Sequence, residues 1–296
     1  MNPVKELENH RQAVWLDFLA RGFVAKGDLK RLIETDGVKG VTSNPSIFEK
    51  AIGSSDEYDG AIGQALKKGD RSVADLFEHL AVVDIQHAAD VLRPVYDHSH
   101  GGDGFVSLEV SPYLAMDTKG TIVEAERLWK DVHRKNLMVK VPATPEGLPA
   151  IEYLIGEGIS INITLLFSQE VYRQVAEAYL KGLEKYVAKG GDPSHVASVA
   201  SFFVSRIDSA VDKQLDEKIA RANDPLEKER LAALKETWSI ILIFTLVIVG
   251  MYRGWFTPTE AAVAAVLWSL FLGLVRYRTM TFRTLAKASF DTIETT

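Results

Sequence analysis

The chain of 296 residues contains no cysteine, which excludes disulfide bridges and thiolate chemistry and suits a cytoplasmic protein. Its opening, MNPVKELENHRQAVWLDFL, has no apolar run ahead of its charges, so no secretory signal is expected there. A basic stripe is missing too. Residues 1–237 carry 29 Lys+Arg against 37 Asp+Glu, a net of −8, which argues against nucleic acid as the main partner. No GxGxxG follows the first apolar run, and that weakens a dinucleotide-binding fold. His98 and His100 sit with Asp97 and Asp103 in the Gly-rich stretch DHSHGGDG, a composition more typical of a solvated turn than of a metal site. No metal is expected.

What is present in residues 1–237 is alternation. Short β-rich runs occur at AVWLDF (13–18), GVTS (40–43), FVSLEV (105–110), LMVKV (137–141), ISINIT (159–164) and VASVASFFV (196–204). Longer amphipathic stretches separate them, among them TIVEAERLWKDVHR and SQEVYRQVAEAYLKGLEKYVAKG. Strands and helices in turn, without clean polar/apolar alternation in the strands, predict a parallel sheet covered by helices. A doubly wound sheet and a (β/α)₈ TIM-type barrel both fit. Asp17, Thr42, Asn44, Glu109, Lys140, Asn162, Thr164 and Ser201 lie within or just beyond separate apolar runs. Only a barrel brings that many strand ends to one face, so the barrel is the better reading.

Lys140 lies inside LMVKVPA with no acidic neighbour in sequence. An amine in an apolar interior loses the solvation that favours its ammonium form, and the neutral amine can form a Schiff base with a carbonyl. A lysine snorkelling from a strand end to solvent is an equal alternative from this segment alone. Schiff-base chemistry also needs proton-transfer groups. Glu109 in SLEV and Asp17 in WLDF are carboxylates at otherwise apolar strand ends, suited either to that work or to pairing with Lys140. Asn44, Asn162 and Thr164 could hydrogen-bond sugar hydroxyls, although Asn44 precedes Pro45 and suits a turn equally. Arg206 in SFFVSRID could hold a phosphate with support from Ser201, or form a surface ion pair.

GVTSNPSIFEKAI, SLEVSPYLAMD, LMVKVPATPEG, GISINITLLFS and ASFFVSRIDSAVD resemble the motif series of transaldolases, in that family's order, across residues 5–235. The likeness is nearest to the bacterial branch sometimes fused to a glucose-6-phosphate isomerase domain. It implies Lys140 as the Schiff-base lysine, Asp17 as acid/base for carbon–carbon cleavage, and Glu109 working through a water that Thr164 helps to place. It also implies Asn44, Asn162 and Ser201 around a dihydroxyacetone unit, Thr42 beside the same pocket, and Arg206 on phosphate. The substrates implied are ketose and aldose phosphates, with no metal or organic cofactor.

Six strand runs are present where the family barrel has eight. After DSAVDKQLDEKIARANDPLEKERLAALK the sequence continues instead as WSIILIFTLVIVGMYRGWFTPTEAAVAAVLWSLFLGLVRYR. A (β/α)₈-type barrel truncated after six strands is expected to be poorly framed, with little transaldolase turnover. Residues 238–252 and 261–275 are free of charge, and the latter follow a capping box at Thr257, Pro258 and Glu260. At about 1.5 Å per residue each is too short for a roughly 30 Å hydrocarbon core on its own, but two could form a broken transmembrane pair. Arg276, Arg278, Arg283 and Lys287 at the far end place that end, and the barrel, in the cytoplasm. GMYRGWFTPTEAAVAAV and the residues after it resemble an internal part of the large membrane subunit of tripartite ATP-independent periplasmic (TRAP) transporters. The expected organisation is therefore a barrel part, 1–237, joined to a transporter-like part, 238–296, with membrane association through 238–275. The junction reads as a seam between unrelated pieces.

Overall fold

The computed structural model describes residues 2–67, 69, 72–221, 228–235, 237, 238, 241 and 245. They fall into two units, residues 1–203 and 204–296.

The first unit holds six strands: β1 (Val14–Leu16), β2 (Val38–Thr42), β3 (Val106–Glu109), β4 (Leu137–Pro142), β5 (Ile161–Leu166) and β6 (Ser198–Phe202). They form one parallel sheet in the order β1-β2-β3-β4-β5-β6. Helix α1 (Pro3–Glu6) precedes β1, and helices α2 (Arg21–Ala25), α3 (Asp28–Asp36), α4 (Pro45–Gly53), α5 (Asp59–Lys67), α6 (Val73–His98), α7 (Thr118–Val132), α8 (Gly147–Gly156) and α9 (Gln169–Ala188) connect the strands. Each predicted run holds a strand, with end shifts of a few residues.

The helices start where the sequence supplies acceptors for free N–H groups. Asn44, Ser72, Asp117 and Ser168 cap α4, α6, α7 and α9 through their side chains. Their apolar stripes then cover one face of the sheet. Val106, Leu108, Val139, Val141, Ile161 and Ile163 pack there with Leu92, Leu128, Ile151 and Leu154 in a continuous core.

Residues of opposite parity face the other way and include the polar ones: Ser107 and Glu109, Lys140, Asn162 and Thr164. The alternation is clean in β3, and in β5 as far as Thr164, contrary to the expectation from sequence. The core-facing residues there are all apolar, and the polar ones take every second place.

The sheet curls toward this polar face. Neighbouring strands lie about 4.8 Å apart, so β3 and β5 would be about 10 Å apart if flat. Yet Asn162 Nδ2 on β5 donates to Ser107 Oγ on β3 at 3.0 Å, across β4. Two short side chains close that gap only on a concave surface, as in part of a barrel wall. Burial falls away from the middle: all of β4 is buried, while β1 is half-buried and β6 half-buried to exposed. Among the described residues β1 and β6 each pair on one side only.

The second unit contains α10 (Val204–Arg221) and helical residues 228–235, linked by Lys235 Nζ to Asp216 Oδ1 at 2.5 Å. The expected absence of a seventh and eighth strand, and the two charge-free segments, lie outside the described residues except at 238, 241 and 245. Among the described residues no helix is long and apolar enough to cross a membrane.

Candidate active site

Lys140 is central. It sits in the fourth place of β4, opposite Glu109 on β3 and Asn162 on β5. The residue is only 5% exposed, so the stem does not snorkel to bulk solvent. Nζ donates to the main-chain carbonyl of Ser43 at 2.8 Å and lies 3.2 Å from Glu109 Oε2. Glu109 is thus the ion-pair partner of Lys140, one of the two readings its sequence position allowed. Its side chain keeps 24% exposure against 6% for the lysine, so the carboxylate has a path to water that the amine lacks.

A hydrogen-bonded chain runs from Lys140 across the wall. Ser43 Oγ donates to the Ser107 carbonyl at 2.7 Å, Asn162 Nδ2 to Ser107 Oγ at 3.0 Å, and Ser201 Oγ to Asn162 Oδ1 at 2.6 Å. Four strands contribute: β3, β4, β5 and β6, with Ser43 just past the end of β2. Asn162 is 2% exposed, and its amide spends one N–H and one lone pair on the two serines, leaving one donor and one acceptor position.

Thr164 lies two residues beyond Asn162 on the same strand face. Its Oγ1 is buried without a hydrogen-bond partner among the described residues. Leu165, next in sequence, has a left-handed φ of 61°, and the β5–β6 register shifts between Ile163 and Leu166. This bulge bends the strand end immediately after Thr164.

Thr42 and Asn44 flank Ser43. Thr42 is half-buried and opposite Ser107. Asn44 accepts from the Ile47 N–H at 3.0 Å and so caps α4, with Pro45 in the first turn. Its turn role is real, and its amide N–H groups have no partner among the described residues. Asp17 is exposed in the bend after β1 and makes no hydrogen bond to the other site residues. Arg206 is exposed in the first turn of α10, in the second unit.

Aromatic side chains fill the same concave face nearer the strand starts. The Trp15 and Phe105 rings are 6.3 Å apart, and Gly40, opposite Trp15, makes room for the indole. Trp15 Nε1 donates to Asp103 Oδ1 at 3.0 Å. Burial lifts the Asp103 carboxyl above its ordinary range, against the opposing pull of the Gly104 N–H and the indole N–H.

Two residues escaped the sequence reading. Ser107 was signalled by the alternation in VSLE, two places before Glu109. Ser43 bonds Lys140 through its main-chain carbonyl, which no side-chain pattern reports.

The family model for Transaldolase/Fructose-6-phosphate aldolase matches residues 14–247 of this chain. A transaldolase of Trichodesmium erythraeum is 47% identical over 234 residues, covering 79% of this chain and 61% of that protein. A transaldolase of Thermobifida fusca is 48% identical over 246 residues, covering 80% and 67%. Transaldolase 2 of a Nostoc species is 46% identical over 229 residues, covering 77% and 60%. The chain spans about three fifths of the length of the first two cyanobacterial relatives. The family match also runs through residues 238–247, past the junction expected at residue 237, and no comparison supports a transporter-like segment there.

Proposed function

Because this chain belongs to the transaldolase/fructose-6-phosphate aldolase family, we propose that it transfers a dihydroxyacetone unit from a ketose phosphate to an aldose phosphate through a Schiff base on Lys140. The observation that carries this reading is a nearly buried amine held by one carbonyl and one carboxylate, on a concave polar face.

The roles follow from placement. Lys140 Nζ, as the neutral amine, attacks the ketose carbonyl carbon to give a carbinolamine, and loss of water gives the imine. Glu109, adjacent to the nitrogen and partly open to solvent, moves protons through a water during both steps. Thr164 Oγ1, which has no hydrogen-bond partner among the described residues, helps to hold that water. Asn162 and Ser201 face the hydroxyls of the three-carbon unit, with Thr42 and Asn44 on the opposite side. Asp17 accepts the proton from the hydroxyl whose carbon bond breaks, and Arg206 binds the phosphate. These last two assignments rest on the motif likeness. Among the assigned residues, Asp17 sits at an edge strand with the greatest exposure in the first unit, so carbon–carbon cleavage is the step most sensitive to how this wall is completed.

The domain boundary we propose lies at the end of the family match rather than at residue 237. Residues 248–296 lie beyond that match. Their charge-free run at 261–275 supports membrane association, which detergent-dependent extraction of the full chain tests.

Dihydroxyacetone transfer from fructose 6-phosphate to erythrose 4-phosphate is the direct assay. Turnover that disappears in Lys140→Ala supports the reading. Turnover unchanged in that variant overturns it.

A further inference from the structure

We infer that Ser43 is a positioning residue for Lys140, an inference that rests on the Schiff-base reading above. Ser43 lies one residue past the last β2–β3 pair, Thr42 opposite Ser107, and its own side chain anchors it there. Ser43 is fully buried, and Oγ donates to the Ser107 carbonyl at 2.7 Å while its carbonyl accepts from Lys140 Nζ at 2.8 Å. On the other side Asn44 is committed to the cap of α4. The Ser43 carbonyl is thereby fixed between a strand and a helix start.

This matters because, among the described residues, Lys140 Nζ has one hydrogen-bond acceptor, the Ser43 carbonyl, and one ion-pair partner, Glu109, and they differ in what the reaction asks of them. Glu109 must exchange protons during imine formation, so its ion pair with the nitrogen changes in turnover. The Ser43 carbonyl is not a proton carrier and accepts an N–H from the ammonium, the neutral amine and the protonated imine alike. It keeps the nitrogen in place while the carboxylate works. A misplacement of about 1 Å in such a nucleophile costs up to about 100-fold in rate.

The test compares the full chain with its Ser43→Ala and Ser43→Thr variants under two reductive traps. In the first, fructose 6-phosphate forms the imine with loss of water, borohydride supplies hydride, and the Lys140 adduct is timed by mass spectrometry. In the second, formaldehyde replaces the sugar, a carbonyl too small to require orientation. Ser43→Ala is expected to slow the sugar adduct by about 10- to 100-fold. It is expected to leave formaldehyde labelling of Lys140 within about twofold, since burial and amine chemistry are unchanged. Ser43→Thr, which keeps the hydroxyl, restores the sugar rate. A Ser43→Ala chain that traps sugar as fast as the wild type overturns the inference, as does an equal fall in both traps. Absence of any sugar adduct in the wild type defeats the transfer reading itself, and is distinguished by the wild type alone.

Discussion

Lys140 Nζ stands 3.2 Å from Glu109 Oε2, and the two residues face each other directly in the β3–β4 ladder. Their proximity follows from strand register and does not depend on any loop. Replacing Glu109 by Gln keeps size and an acceptor for the amine but removes the base. Transfer is expected to fall by about 10²- to 10⁴-fold in steady-state assays. Melting temperature should also fall, because the nearly buried Lys140 loses its charged partner. A large loss of stability with retained rate would contradict this division of roles.

Asn162→Ala should act on both stability and substrate binding. The substitution leaves Ser107 Oγ and Ser201 Oγ without their common partner inside a buried wall. Each unsatisfied group costs about 1–3 kcal/mol, which denaturant titration would register. KM for fructose 6-phosphate is expected to rise as well, since the amide's remaining donor and acceptor are lost.

Gly40→Ala tests the aromatic filling of the concave face. A Cβ at Gly40 would lie 2.5 Å from the Trp15 ring, closer than carbon atoms tolerate. The indole must shift and strain its bond to Asp103. A destabilisation of about 1–3 kcal/mol is expected, with reduced shielding of Trp15 fluorescence.

Asp103 makes a pH-dependent prediction. Its folded-state carboxyl is raised by burial, so the unfolded chain ionises more readily than the folded one. Stability from this group is therefore complete below the ordinary value of 3.8 and declines as pH rises through the higher folded value. Asp103→Asn keeps an acceptor for Trp15 and Gly104 but has no charge to bury. The variant should melt above the wild type at neutral pH, and the difference should vanish in acid. A difference that grows in acid would reverse the assignment.

Much of this architecture could be read before any coordinates. The six apolar runs became six strands, and Lys140, Asn162 and Ser201 entered one hydrogen-bonded set with Glu109 ion-paired to it. Asn44 caps α4, the turn reading of the residue before Pro45, and its amide N–H groups have no partner among the described residues. Ser43 was hidden because main-chain acceptors have no residue code. Asp17 and Arg206 match family motifs, but motif spacing says nothing of exposure, and both proved exposed.

By itself the sequence determined which residues could face a core and which could not. Period-two alternation in VSLE and ISINIT puts apolar side chains against helices and polar ones on the other side, a local property of extended chain. The tertiary structure decided what those polar residues meet. Asn162 reaches Ser107 over an intervening strand, and Lys140 reaches a carbonyl at the end of β2, because the parallel sheet is concave. Curvature is a property of several strands packed under their helices, and it turns a row of separate polar positions into one site.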